Sequence, residues 1–116
     1  RKLDEALTYY EKAWSMLPEP KLSWEIANWI ASCCSSVYFA RGEFEKAKPW
    51  SEISLQTRGS NIDTGPLIDL GMVCLELEQH DEAFQYFDRA YQYGKKRAFQ
   101  GRPKKYLDYY LGRIKG

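Results

Sequence analysis

The stretch from Leu67 to Ala90 limits what this chain can fold into more than any other part of the sequence. Apolar and small residues recur three or four positions apart in two runs, and a polar turn from Glu78 to Asp81 separates the runs. Helical spacing on both sides of a short polar turn predicts two helices that fold back on each other. Gly71 in the first run and Ala83 in the second are small enough for a close approach. The stretch therefore predicts a tightly packed helix hairpin.

The same stretch resembles the tetratricopeptide repeat (TPR), whose pattern is W-x2-L-G-x2-Y followed by A-x3-F and P. Leu70-Gly71 and Ala83-x3-Phe87 match that pattern. Leu67 stands where the repeat has Trp, and Cys74 stands where it has Tyr. The resemblance implies an all-α fold of antiparallel helix-hairpin repeats, a TPR-like α-solenoid with about six helices.

Two other segments carry parts of the pattern. Ala6-x3-Tyr10 followed by Pro18 matches the second helix of a repeat whose first helix is missing. Ala47 occupies the alanine position again, but Ser51 replaces the aromatic residue. The spacing is irregular, because 41 residues separate Ala6 from Ala47 and 36 separate Ala47 from Ala83, whereas the family period is about 34.

These units are expected to form a single TPR-like domain over residues 1–116, a fragment of a longer repeat protein. The expected parts are a half repeat at 1–18, a long central repeat at 21–59, a regular repeat at 64–94 and a closing helix at 101–116. Residues 22–40 carry one charge, Glu25, and are expected to form a central buried helix. The central repeat is expected to be about two helical turns longer than the others.

Cysteine usage predicts reduced thiols. Cys33 and Cys34 are adjacent and Cys74 is the third, and an odd number with this spacing is not a disulfide framework. The sole histidine, His80, falls in the turn, so neither a metal site nor another cofactor is expected. Reduced thiols indicate a cytoplasmic protein. No membrane partner is expected, since no run of about 18 uncharged apolar residues occurs.

Catalytic motifs are missing from the sequence. It has no Gly-rich phosphate loop, no H-E-x-x-H and no Gly-x-Ser-x-Gly. A cysteine nucleophile would need a histidine base, and His80 is the single candidate. The chain is therefore predicted not to be an enzyme.

The resemblance also implies a binding surface, because the first helices of successive repeats line a concave groove in this family. The groove positions of this chain would be Trp29, Ser32, Ser36, Phe39, Ile68, Met72 and Leu75. Simple packing against an adjoining helix is the alternative for Phe39 and Ile68. Family members that bind the acidic C-terminus of chaperones carry a Lys/Asn/Arg clamp where this chain has Ser32 and Ser36. The resemblance thus implies a protein-interaction module, or scaffold, that binds an apolar peptide or helix of a partner.

The charge is distributed unevenly along the chain. Residues 1–94 hold 9 Lys/Arg and 15 Asp/Glu, whereas residues 95–116 hold 8 Lys/Arg and 1 Asp/Glu. The expected basic patch consists of Lys95, Lys96, Arg97, Arg102, Lys104 and Lys105. This patch supports an alternative function, the binding of an acidic partner or, as a less favoured reading, of nucleic acid. A homodimer through the exposed N-terminal half repeat is a further expectation.

Overall fold

The computed structural model describes residues 2–60 and 63–115, and within them it contains six α-helices, two short 3-10 helices and no strand. The α-helices are α1 (Lys2–Ser15), α2 (Glu25–Ala40), α3 (Phe44–Gln56), α4 (Gly65–Glu76), α5 (His80–Gly94) and α6 (Lys104–Lys115). The 3-10 helices are Lys21–Ser23 and Lys95–Phe99. The predicted all-α fold of about six helices is confirmed.

The chain forms two compact units, which we call unit 1 (Arg1–Gly59) and unit 2 (Ser60–Gly116). Unit 1 contains α1, α2 and α3, and unit 2 contains α4, α5 and α6. Each unit is built around one helix hairpin, α2 with α3 in unit 1 and α4 with α5 in unit 2. The sequence pattern therefore predicts the pairing of neighbouring helices correctly.

Helix α2 is the centre of unit 1. It contacts both α1 and α3, and the side chains of Ala27, Ile30 and Cys34 are fully buried. This helix carries almost no charge because it is buried on two sides. The expected two extra turns of the central repeat are not found, because α2 and α3 have 16 and 13 residues and α4 and α5 have 12 and 15. The residues before α2 form the 3-10 helix Lys21–Ser23.

Serine side chains hold α2 and α3 together. The hydroxyls of Ser35 and Ser51 form a buried hydrogen bond, and those of Ser32 and Ser54 lie 2.7 Å apart. Asn28 Nδ2 donates to the Ser54 carbonyl oxygen at 2.7 Å. Small side chains allow the two helices to approach closely, and each buried hydroxyl has a partner.

Glycine and phenylalanine hold α4 and α5 together in unit 2. The Phe87 ring is fully buried and lies against the backbone of Gly71. A Cβ atom on Gly71 would be 2.5 Å from Cε1 of Phe87, which is too close for any real contact. Ala83 and Ala90, one turn to either side of Phe87, are also fully buried. This contact explains why the first helix needs glycine at this position.

The two hairpins align when the sequence is shifted by 36 residues. In this alignment Ser35 corresponds to Gly71 and Ser51 corresponds to Phe87. The same contact between two helices is thus made in two ways. Unit 2 pairs a residue that has no side chain with a large ring, and unit 1 pairs two small hydroxyl side chains.

Both hairpins turn at a residue in the left-handed backbone conformation. Gly42 has φ 76° in the first turn, and Glu78, 36 residues later, has φ 62° in the second. The amide that follows bonds back to the helix in both turns, from Glu43 to the Tyr38 oxygen and from Gln79 to the Cys74 oxygen, each at 2.9 Å. This is the bonding pattern with which glycine commonly ends helices.

We expect Glu78→Gly to raise the free energy of unfolding by about 1 kcal/mol, because a side chain is strained at this φ and glycine is not. The matched change Gly42→Ala should lower it by about 1 kcal/mol. No atom lies within 4 Å of a Cβ on Gly42, so its effect would come from the backbone alone. Urea denaturation measures both changes, and effects of equal sign would contradict this description of the turns.

The last helix closes unit 2 with aromatic side chains. Tyr106 and Tyr110 of α6 are buried, and so is Phe99 of the preceding 3-10 helix. The Tyr106 hydroxyl donates to Glu76 at 2.7 Å, and the Tyr110 hydroxyl donates to Asp88 at 2.6 Å. These aromatic residues therefore belong to the interior of unit 2.

Candidate functional site

The predicted groove residues of α2 have different surroundings. Trp29 is 51% exposed, and Ser36 is also exposed. Ser32 is half-buried, and its hydroxyl forms a hydrogen bond with that of Ser54 in α3. These three α2 residues line one open cavity. Phe39 does not line it, and its ring packs edge-on against that of Phe44 at a centroid distance of 5.1 Å.

The predicted groove residues of α4 are largely covered. Ile68 is fully buried, Met72 is 7% exposed and Leu75 is half-buried. A segment of another protein could reach Ile68 and Met72 only if other atoms moved away. The open cavity of unit 1 is therefore the better-defined candidate site.

That cavity has a volume of about 390 Å³ and lies between α1 and α2. Besides the three predicted residues it is lined by Ala6, Tyr10, Cys33 and Val37. The Tyr10 and Trp29 rings meet edge to face at a centroid distance of 5.4 Å. A hydrogen bond between the Tyr10 hydroxyl and Cys33 raises the pKa of Tyr10. The lining is thus mostly apolar and aromatic, with a few polar groups.

Sequence reasoning missed Ala6 and Tyr10 as site residues, although the sequence contained a signal for them. Ala6, Tyr10 and Ala13 have the same spacing as Ala83, Phe87 and Ala90. In unit 2 these three positions are fully buried, and Phe87 lies against Gly71 of α4. In unit 1 they are half-buried, and Ala6 and Tyr10 line the open cavity. We call the surface formed by Ala6, Tyr10, Ala13 and Trp29 the α1 face.

Large apolar side chains in α1, just after it and at the start of α2 remain in contact with solvent. Tyr9 is 66% exposed, Met16 is 72% exposed and Ile26 is 49% exposed. Scattered apolar residues are ordinary on a protein surface, but several close together are typical of interaction sites. The α1 face is therefore a candidate interaction surface.

An adjoining side of α1 contacts the rest of unit 1. The Tyr38 hydroxyl donates to Glu11 at 2.7 Å, a hydrogen bond that raises the pKa of Tyr38 to about 12. The Trp14 and Trp50 rings meet edge to face at a centroid distance of 5.1 Å. These contacts set the rotation of α1 about its axis.

Half of the predicted basic patch is engaged within unit 2. Arg102 pairs with Asp69 at 2.9 Å, and Lys105 pairs with Glu76 at 2.8 Å. The hydrogen bond from Lys105 holds the pKa of Glu76 below its usual value. Lys95 Nζ lies 5.5 Å from the centroid of the Tyr91 ring. These three cations stabilise the fold of unit 2.

The other three cations of the patch are Lys96, Arg97 and Lys104. They line an open cavity of about 450 Å³, and no described residue forms an ion pair with any of them. The patch is therefore one cluster of free cations beside three that are already paired.

Cys34 and His80 are of the two residue types that a cysteine nucleophile and its base would need. Burial raises the pKa of Cys34 to about 12, so its thiol stays protonated at neutral pH. His80 is exposed at the start of α5, and its carbonyl oxygen accepts hydrogen bonds from Tyr109 and Arg113. Within residues 2–60 and 63–115 no group of three or more His, Cys, Asp or Glu is placed to hold a metal ion. No helix in these two ranges is long and apolar enough to cross a membrane.

A sequence model of the tetratricopeptide repeat matches residues 66–93, which span α4 and α5. None of the curated proteins compared with the chain is similar to it. The matched residues include the Gly71 and Phe87 contact that defines the hairpin of unit 2. Repeats of this kind generally mediate protein interactions and are generally not enzymes. Residues 66–93 thus match a tetratricopeptide repeat, and the rest of the described chain is also helical.

Proposed function

We propose that this chain is a protein-interaction module that binds an α-helix of a partner protein on the α1 face. The observation that carries the proposal is the internal comparison of α1 with α5. The alanine-aromatic-alanine surface of α5 is fully buried, with its central ring against Gly71 of α4. On α1 the same surface is half-buried, and Ala6 and Tyr10 line an open cavity. A helix on the α1 face would bury this apolar surface as α4 does in unit 2.

The covering helix of unit 2 indicates the chemistry of the partner. Helix α4 presents Leu67 and Leu70 to the interior and places Gly71 on the Phe87 ring. Tyr10 occupies the position of Phe87, so the partner helix needs glycine or alanine opposite Tyr10 and leucine-like residues nearby. Ser32 and Ser36 provide no positive charge, which disfavours an acidic partner at this face.

The proposal includes three of the seven predicted groove residues, Trp29, Ser32 and Ser36. Phe39, Ile68, Met72 and Leu75 stay predicted members of a wider groove. A second copy of the chain that supplies the helix would be the predicted homodimer. We place the complex in the cytoplasm, since the buried thiols of Cys34 and Cys74 suit a reducing compartment.

The test uses a synthetic peptide with the sequence of residues 64–77, which contains no tryptophan. Titrated into the full chain, it is expected to shift the tryptophan emission to shorter wavelength, because Trp29 becomes covered. A peptide with leucine in place of the central glycine should produce no shift, since it cannot fit over Tyr10. Tyr10→Ala should weaken binding by about tenfold or more, as is usual for a central aromatic anchor.

The matched control is Tyr93→Ala, which removes a tyrosine that is 56% exposed on α5 of unit 2. This variant should bind the peptide as the unchanged chain does. Equal binding of the glycine and leucine peptides would contradict the proposal. So would a Tyr10→Ala chain with unchanged affinity.

A further inference from the structure

The three free cations of unit 2 surround a cavity whose walls are held in place. The cavity lies where the 3-10 helix Lys95–Phe99 leads into α6. Phe99, at the end of that 3-10 helix, is 4% exposed and packs on Phe87 at a centroid distance of 5.3 Å. On the other side Arg102 donates to Asp69 at 3.0 Å. The segment between these anchors therefore keeps a defined shape.

The cavity combines positive charge with apolar surface. Lys96, Arg97 and Lys104 supply the charge, and Phe99 and Leu107 supply the apolar lining. Three like charges around one cavity repel one another, and no carboxylate of the described residues forms an ion pair with any of the three. An anionic ligand would remove this repulsion.

We propose that this cavity binds an acidic segment of a partner protein. Carboxylates of the segment contact Lys96, Arg97 and Lys104, and one apolar side chain between them contacts Leu107. The complementary charges allow the cavity to recognise the segment. The apolar contact fixes which residues of the segment face the three cations. The site uses different residues from the α1 face, so each proposal can fail without the other.

A protein segment fits this cavity better than a nucleic acid does. Single-stranded nucleic acids are bound through exposed aromatic rings on which bases stack. The aromatic residues nearest the cavity are not available for stacking, because Phe99 and Tyr106 are buried. Tyr109 is half-buried, and its hydroxyl donates to the His80 carbonyl oxygen at 3.2 Å.

Fluorescence anisotropy of a labelled peptide, D-E-L-D-E, with the full chain tests the proposal. The peptide is expected to bind at low salt and to bind more weakly at about 0.15 M ionic strength, because salt screens exposed charges. The triple variant Lys96→Glu, Arg97→Glu and Lys104→Glu should weaken binding by about tenfold or more. The same three residues changed to glutamine should weaken binding less. This glutamine variant is used in place of the glutamate variant if the charge reversals impair folding.

The matched control is Lys2→Glu, Lys12→Glu and Lys115→Glu, which makes the same change of net charge at exposed positions elsewhere. It should retain most of the binding. A peptide D-E-S-D-E should bind more weakly than D-E-L-D-E if the apolar contact forms. Equal loss in both triple variants would overturn the proposal, because only net charge would matter. It would also be overturned if neither peptide bound, or if a 12-residue oligothymidine bound more tightly than D-E-L-D-E through the same three residues.

Discussion

Replacement of Ser51 by phenylalanine is expected to lower the free energy of unfolding by about 2–5 kcal/mol. Ser51 is 1% exposed and faces Ser35 across the contact between α2 and α3. A ring at this position has no room against the Ser35 side chain. It also leaves the Ser35 hydroxyl buried without its partner, which has a cost of its own. Urea denaturation followed by circular dichroism measures the change.

The double variant Ser35→Gly with Ser51→Phe provides the control. It copies into unit 1 the pair that unit 2 uses, Gly71 with Phe87. We expect it to recover at least half of the stability lost in Ser51→Phe. If the double variant were less stable than the single variant, the alignment of the two hairpins would be wrong.

Replacement of Gly71 by alanine is expected to lower the free energy of unfolding by about 1–3 kcal/mol. Alanine is the better helix former by about 1 kcal/mol, so intrinsic preference alone predicts the opposite sign. The clash decides the outcome, because the new Cβ would lie 2.5 Å from Cε1 and 2.7 Å from Cδ1 of Phe87. The Phe87 ring cannot move aside easily, since Phe99 and Tyr106 pack around it.

Gly112→Ala in α6 is the matched control. Gly112 is also a helical glycine, but a Cβ added there would have no atom within 4 Å. This change should raise the free energy of unfolding by about 0.5–1 kcal/mol. Adding Phe87→Leu to Gly71→Ala should recover part of the loss, because the smaller side chain makes room. If Gly71→Ala and Gly112→Ala raised the free energy of unfolding by equal amounts, the Phe87 ring would not lie on Gly71.

The fold of unit 2 is predictable because its signals are local. Leucine and glycine in one helix, and alanine and phenylalanine in the next, occupy the spacings that two packed helices require. The structure places Gly71 on Phe87, as the small residue in the first run predicted. The hairpin of unit 1 is harder to recognise, because its corresponding residues, Ser35 and Ser51, resemble ordinary polar positions.

The candidate sites depend on contacts that a local pattern does not contain. The sequence pattern assigns Ser32 to a groove, but it does not predict that the Ser32 hydroxyl forms a hydrogen bond with Ser54, which lies 22 residues further along the chain. The basic patch looked uniform, but Arg102 pairs with Asp69, 33 positions away. Helical periodicity reports which side of a helix is apolar, and it does not report what covers that side.

The most direct test of the α1 face is methyl NMR of the full chain, labelled at its alanines, with the peptide of residues 64–77. Ala6 and Ala13 occupy the same positions on α1 as Ala83 and Ala90 on α5, and the latter pair is already fully buried. We predict that the methyl resonances of Ala6 and Ala13 shift at saturation, with contacts between the peptide's central glycine and the Tyr10 ring. The resonances of Ala83 and Ala90 should stay unchanged. Shifts at Ala83 and Ala90, or no shift at any of the four methyl groups, would contradict the assignment of the α1 face as a helix-binding surface.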